Sequence, residues 1–187
     1  MKKYRWIIAS ALAAAAIAAA LIVKQLPKSK QTHIQPDVDG GVKDSSDPSA
    51  PKSITSRKIT AFDSSFYFDD INNPDNSGRY WFQISKNGSE TLVLSVSGAR
   101  NCRTEVDTSL LDKVQNIIER HELVKLNGIS CVTQGLPVQY SPCSMFADYS
   151  SGEHLSFTTD SSPEFQWCFE LKDLFFKIFS DKGYPGF

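Results

Sequence analysis

The sequence predicts an α+β domain: an antiparallel sheet with two helices, in the order β-β-β-α-β-β-α, behind an N-terminal apolar helix. Three observations predict it. Short runs rich in aromatic and β-branched residues are separated by polar turn signals. Two longer segments, after Asp107 and after Ser161, repeat apolar residues at intervals of three and four. An uncharged run precedes both, set apart by a polar stretch.

That run spans Trp6 to Val23 and includes nine Ala, with Lys2, Lys3 and Arg5 in the basic region 1–5 before it. As a helix it would reach about 27 Å, close to the roughly 30 Å hydrocarbon core of a bilayer. It reads as a signal anchor, or as a signal peptide cleaved near Ala18-Ala19-Ala20. Its length exceeds the roughly 7–15 residues of a cleaved apolar region and favours the anchor. Lys24, Lys28 and Lys30 follow, so cations flank both ends and bias the orientation little. The basic start followed by an apolar core reads as secretory. It places the remainder outside the cytoplasm, on a single-pass membrane protein or, after cleavage, as a secreted product. No Cys occurs before Cys102, so the segment offers no thiol for a lipid anchor.

Residues 24–56 contain Pro27, Pro36, Pro48, Pro51 and Gly40-Gly41 among many Ser and Asp, with no apolar period. They read as a flexible linker carrying a solvated His33. Residues 57–187 are long enough for a core of their own. They carry 12 Lys/Arg against 17 Asp/Glu, a net of −5, within a chain of formal charge −1. An acidic domain without a basic stripe argues against nucleic acid as a partner.

Within 57–187, Ile59–Phe68 is aromatic-rich and strand-like, and Asp69–Gly78 is a polar loop. Arg79–Ser85 and Thr91–Ser97 flank Asn87-Gly88, a strong hairpin signal because both residues tolerate positive φ. Asp107 is a good N-cap, with Val106 and Leu111 placed as a hydrophobic staple. Leu110, Leu111, Val114, Ile117 and Ile118 then line one helix face, which ends near His121–Leu123. Residues 128–144 form a loop of Pro, Gly, Ser and Cys. A second hairpin joins Met145–Tyr149 to His154–Thr159 through Ser150-Ser151-Gly152. Ser161-Ser162-Pro163-Glu164 reads as a capping box opening a last helix from about Pro163 to Asp181, stopped by Gly183.

The stretch from Val106-Asp107 through Leu110-Leu111, Ile117-Ile118 and Leu123 to Asn127-Gly128 resembles a family of uncharacterised bacterial exported domains. So do Tyr149-Ser150-Ser151-Gly152 and the run from Phe157 through Ser161-Ser162-Pro163 into the terminal helix. The resemblance covers roughly residues 57–180 and implies an exported or membrane-anchored α+β domain, with no activity attached. This chain departs from that pattern in its four Cys and its long 128–144 loop.

The cysteines are Cys102, Cys131, Cys143 and Cys168. Outside the cytoplasm they would form two disulfides, and four Cys allow three pairings. The expected pairs are Cys131–Cys143 within one loop and Cys102–Cys168 between the first helix's approach and the last helix. No Cys-x-x-Cys or His-x-x-x-His occurs, so no metal is expected, and no cofactor fingerprint is present. His121 sits on the apolar arc of the first helix and reads as a packed histidine near a helix C-terminus. His154 reads as exposed at a turn. Asp69, Asp70, Asn72, Asn73 and Asp75 are oxygen-rich. Asn73, Asp75, Ser77 and Gly78 match the start of a calcium loop, but Ile84 stands where its bidentate Glu belongs.

The last helix is unusually apolar. Trp167, Leu171, Leu174 and Ile178 form one stripe, with Phe165, Cys168, Phe169, Phe175, Phe176 and Phe179 beside it. Together they cover about 220° of the helix, wider than one sheet face would bury. Either loops such as 128–144 cover the rest, or the stripe is a patch for a partner. The sequence thus predicts a non-catalytic binding module, tethered to the membrane through residues 6–23 and meeting another envelope protein. An envelope hydrolase or thiol-redox enzyme is the alternative. Free cysteines, or a cleft holding His121 beside carboxylates, would favour that alternative.

Overall fold

Period-two alternation sorts the sheet into an apolar face and a polar one. In the computed structural model, residues 41–70, 74–87, 91–162 and 164–187 are described. Strands β1 (Val42–Asp44), β2 (Ile59–Phe68), β3 (Gly78–Asn87), β4 (Thr91–Gly98) and β5 (Cys102–Val106) precede helix α1 (Ser109–Arg120). Strands β6 (Ser130–Thr133), β7 (Cys143–Tyr149) and β8 (His154–Thr159) follow, then helix α2 (Gln166–Asp181). Among the described residues the strands form one eight-stranded sheet, ordered β1-β6-β8-β7-β2-β3-β4-β5. The class is α+β with two α-helices, as expected, but the sheet is mixed rather than antiparallel. The β6–β8 pair runs parallel. The chain leaves β6, forms β7 and turns back as β8, which fills the gap between the two. A strand arriving that way must run parallel to β6.

Three strands were not expected. β1 is three residues long and exposed throughout, held to β6 by backbone pairing. β6 lies inside the stretch expected as loop, with Cys131 beside Thr159 of β8. β5 is an edge strand facing β4. None of the three carries an apolar period long enough to read. The segment expected as linker also behaves differently over its second half. Residues 41–56 run along the domain. Asp47 N–H bonds to Gly128 O at 2.8 Å, and Asn127 Nδ2 donates to Pro51 O at 2.9 Å. Asp44 and Asp47 fold this strap locally by accepting the N–H groups two residues on.

The apolar face carries Phe62 and Phe66 of β2, Tyr80, Phe82 and Ile84 of β3, Leu94 and Val96 of β4, Met145 of β7 and Phe157 of β8, all buried. Both helices pack there. Five α1 residues expected inside, Leu110, Leu111, Val114, Ile117 and Ile118, are buried. Asp107 serves the expected capping role: its carboxylate accepts the Ser109 N–H at 2.8 Å. From α2, Phe175 meets Phe82 at 4.9 Å and Phe62 at 6.1 Å between ring centroids. Trp167 packs edge-on against Phe66 and Phe157. The Ser162 hydroxyl accepts the Glu164 N–H at 3.2 Å, and α2 starts only at Gln166, so Ser161–Glu164 is a turn before the helix rather than its capping box. At the other end Gly183 has φ 80°. Its N–H bonds Ser180 O while Tyr184 N–H bonds Phe179 O, the paired bonds of a Schellman stop.

Residues 1–40, and with them the apolar run Trp6–Val23, lie outside the described residues. Among the described residues no helix is long and apolar enough to cross a membrane.

Glu153 locks the end of the strap. It accepts from the Ser151 hydroxyl at 2.6 Å and from the backbone N–H groups of Thr55 and Ser56 at 2.9 and 3.0 Å. These donors favour the carboxylate and hold its pKa down at about 2, against an ordinary 4.5. A depressed acid stabilises the fold above its unfolded pKa and loses that contribution as pH falls through its folded one. Replacing Glu153→Gln should therefore lower the denaturant midpoint at pH 7. Titrating both proteins downward should close the gap between pH 4.5 and about 2.

Candidate functional site

The face of the sheet opposite the helices holds the candidate site. Tyr80-Trp81-Phe82 on one strand cannot place all three rings inside. Tyr80 and Phe82 are buried, which turns Trp81 outward at 42% exposure. By the same alternation Met145 and Ala147 point in and Phe146 points out, 39% exposed. Register sets their neighbours. Trp81 lies beside Ser65, which lies beside Ser144. Gln83 lies beside Asp63, which lies beside Phe146, which lies beside Ser156. The two rings thus stand on either side of β2, about 12 Å apart from strand spacing and rise. Hydroxyl and amide side chains lie between and around them.

Trp81 is fixed rather than loose. Its ring lies over Gly98 so closely that a Cβ there would sit 2.9 Å from a ring carbon. Gly98 also has φ 107°, so a side chain at this position is disfavoured twice over. The Arg79 guanidinium stacks 5.4 Å from the Trp81 centroid. Arg79 is tied down in turn by the Pro142 carbonyl and the Ser65 hydroxyl. The Ser65 and Ser144 hydroxyls share a hydrogen bond of 2.9 Å. Between the rings sits Asp63, half-buried, its pKa raised by desolvation with no opposing donor to lower it.

The expected partner stripe lies elsewhere. Trp167 and Leu171 are buried in the core, and Leu174 and Ile178 are partly buried against it. Leu174 faces Ile117 and Arg120 of α1 across a shallow hollow, and Ile178 faces Val106 and Leu110 across another. The stripe is therefore the seam between α2, α1 and the sheet edge. The rest of the arc is covered by the chain's last residues rather than by 128–144. Phe187 packs on Phe176 and Phe179, and Tyr184 packs on Phe179.

The expected disulfide pairs are not made; all four thiols are free. Cys131 and Cys143 both flank Thr159, one on each side of β8. Two strand spacings separate them by about 10 Å, beyond the roughly 7 Å a disulfide can span between Cα atoms. Cys102 opens β5 at the sheet's edge, where Tyr184 beyond the C-terminal end of α2 bonds Arg103 O. Cys168 lies in the first turn of that 16-residue helix, roughly 20 Å from its other end. Cys168 is instead a neighbour of Cys143 in the core. Burial pushes the Cys168 thiol far up from its ordinary value, with the Cys143 hydrogen bond adding to it. A thiol so disposed is not a reactive thiolate.

His121 follows α1 and bonds Glu170 Oε1 through Nε2 at 3.0 Å, while Arg120 takes Oε2 at 2.5 Å. It borders a shallow hollow of about 330 Å³ with Glu122, Lys125, Glu164 and Trp167. His154 is exposed in the second hairpin, as expected. Asp69 accepts the Ser77 hydroxyl at 3.1 Å and Asp70 accepts Asn76 Nδ2 at 3.5 Å, so these carboxylates serve their own loop. Asn72 and Asn73 lie outside the described residues. Among the described residues no three His, Cys, Asp or Glu are placed to hold a metal ion.

Asp63 marks where this face gives up stability. A raised carboxyl pKa means the fold disfavours the charged form, so its contribution is best at low pH and is lost as pH rises through the folded pKa. Asp63→Asn should raise the denaturant midpoint at pH 7. The gain should shrink towards pH 3, where Asp63 is protonated in both states.

No family model, no curated protein and no solved structure matches the chain, so the reading of this face rests on the chain's own geometry.

Proposed function

We propose that this chain is a non-catalytic binding module of the bacterial cell envelope, held at the membrane by residues 6–23, with its domain outside the cytoplasm. Its open sheet face takes a neutral or amino-bearing saccharide chain of the envelope. The observation that carries this reading is the pair of exposed rings, Trp81 and Phe146, with the unpaired carboxylate of Asp63 between them. Flat apolar platforms suit the C–H faces of sugar rings, and their spacing suits two separate rings of one chain. Asp63, Gln83 and Ser156 supply acceptors and donors for hydroxyl groups. The domain's net charge of −5 over residues 57–187 works against an anionic polymer. Because Trp81 is already pinned by Gly98 and Arg79, binding need order little.

A second reading, an envelope hydrolase, draws on His121 beside Glu170 at the rim of a hollow. Glu170 would orient the imidazole and His121 would activate water. Arg120 already occupies the other Glu170 oxygen, and among the described residues no Ser, Thr or Cys lines that hollow. The open face is therefore the stronger of the two.

Co-sedimentation with insoluble peptidoglycan and calorimetry with an N-acetylglucosamine tetramer test the reading. The native protein should bind both. Trp81→Ala should weaken binding at least about 10-fold, as loss of an aromatic anchor does, while keeping the native circular dichroism. Absence of binding to either probe, or binding indifferent to Trp81, would sink the saccharide reading. The tether is tested separately in the bacterial host. The full chain should sediment with membranes, and the chain lacking residues 1–23 should not leave the cytoplasm.

A further inference from the structure

We propose that Cys143 and Cys168 form a structural disulfide when the chain folds in contact with a thiol oxidant, leaving Cys102 and Cys131 as single thiols. The geometry converges on this pair from three directions. Antiparallel register puts Cys143 on the inner face of β7, between Thr159 of β8 and Phe66 of β2. Trp167 rests edge-on against Phe66 of β2 and Phe157 of β8, rings on the two strands that flank β7. Cys168 is the next residue, in the first turn of α2, and Cys143 is one of the neighbours that raise its thiol pKa. Both are enclosed, at 0% and 6% exposure, within the apolar core.

Two further pairs fail on distance, as Cys102–Cys168 does. Cys131 is two strands from Cys143. Cys102 and Cys131 lie on β5 and β6, with five strands between them. Three pairings are possible for four cysteines, and each holds two bonds. The one that contains Cys143–Cys168 would also join Cys102 to Cys131, and the sheet forbids that. One bond therefore forms rather than two.

The chemistry needs a disulfide-bearing oxidant, R–S–S–R, such as oxidised glutathione or the disulfide form of a thiol oxidoreductase. The thiolate of one cysteine attacks a sulfur of the oxidant, a mixed disulfide forms, and RS⁻ departs and takes up a proton. The second cysteine gives up its proton and attacks the protein sulfur of that mixed disulfide, expelling the second RS⁻. Two thiol hydrogens and two electrons pass to the oxidant, which leaves as two R–SH. The bond forms while α2 is still undocked, because the folded core admits no oxidant. In the folded, reduced protein, burial holds Cys168 as the unreactive thiol. Once made, the bond joins β7 to the start of α2, clamping the helix at the end where its capping is weakest. No side chain caps that N-terminus.

The proposal rests on the extracytoplasmic reading only for its oxidant, not for its geometry. The full chain, reduced and unfolded in denaturant, is refolded in a glutathione redox buffer. Its thiols are then alkylated before and after reduction, and the peptides mapped by mass. Two thiols should resist alkylation until reduction, linked as Cys143–Cys168, with Cys102 and Cys131 labelled at once. The oxidised protein should melt at least about 5 °C above the reduced one. A variant carrying Cys102→Ser and Cys131→Ser should oxidise and gain stability to the same extent, which keeps the test independent of variants that disturb the core. Four labelled thiols after refolding, or a link through Cys102 or Cys131, would overturn the proposal. A link formed in the refolding buffer but missing from protein taken from its host would leave the pair standing and overturn the extracytoplasmic placement instead.

Discussion

The structure depends on one packing arrangement: the aromatic side chains of α2 set into the aromatic centre of the sheet. Phe175 reaches both Phe82 and Phe62, Phe176 packs edge-on to Tyr80, and Trp167 stands on Phe66 and Phe157. Each buried ring removes a large apolar area from water, and each tilted or edge-on pair adds a directional preference. This fixes where α2 lies along β2 and β3. It also fixes which side of the sheet is inside, since alternation then commits every second residue of each strand. The open face is a consequence of that commitment. Both helices are on one side, so Trp81 and Phe146 have no helix to cover them.

Much of this was legible in the sequence where apolar period and cap agreed. The α1 face, the Asp107 cap, the Gly183 stop and both hairpins follow from local chemistry that the fold does not override. The failures share a cause. β1, β6 and the strap are held by backbone hydrogen bonds and by Asn127, which donates to Pro51 O and His154 O and accepts the Ser156 N–H. Such bonds leave no hydrophobic signature. The parallel β6–β8 pair is a property of connection order, not of any residue. The disulfide expectation failed because sequence proximity of Cys131 and Cys143 says nothing of the strand that enters between them. The site was half legible: three consecutive aromatics on a strand already require one to face out, whereas the isolated position of Asp63 needs the register of three strands.

Asp63 and Trp81 illustrate two different uses of an exposed sheet. Trp81 packs over Gly98 and stacks with Arg79, so it makes contacts within the fold. It would be retained for stability alone. Asp63 would not. Its carboxyl is partly desolvated without a compensating donor, in a place where Ser, Thr or Gln would sit at no electrostatic cost. Groups that destabilise the fold while facing outward are where function is most economically sought. The charged side chain between two rings therefore carries more information about role than the rings themselves.

The wide apolar arc of α2 closes the argument. A helix covered by a sheet alone would leave such an arc partly bare, and a bare arc would itself be the natural binding surface. Here three different surfaces meet it. The sheet takes Phe175 and Trp167, α1 faces Leu174, and Tyr184 and Phe187 fold back over Phe176 and Phe179. At the margin Phe169, 36% exposed, packs edge-on to Phe68, and the Lys172 ammonium lies 3.8 Å from the Phe68 ring centroid. With most of the helical side covered by the chain's own residues, the proposed recognition surface is the sheet's other face. There the polar groups are spaced by strand geometry, and the Trp81 ring is held by Gly98 and Arg79.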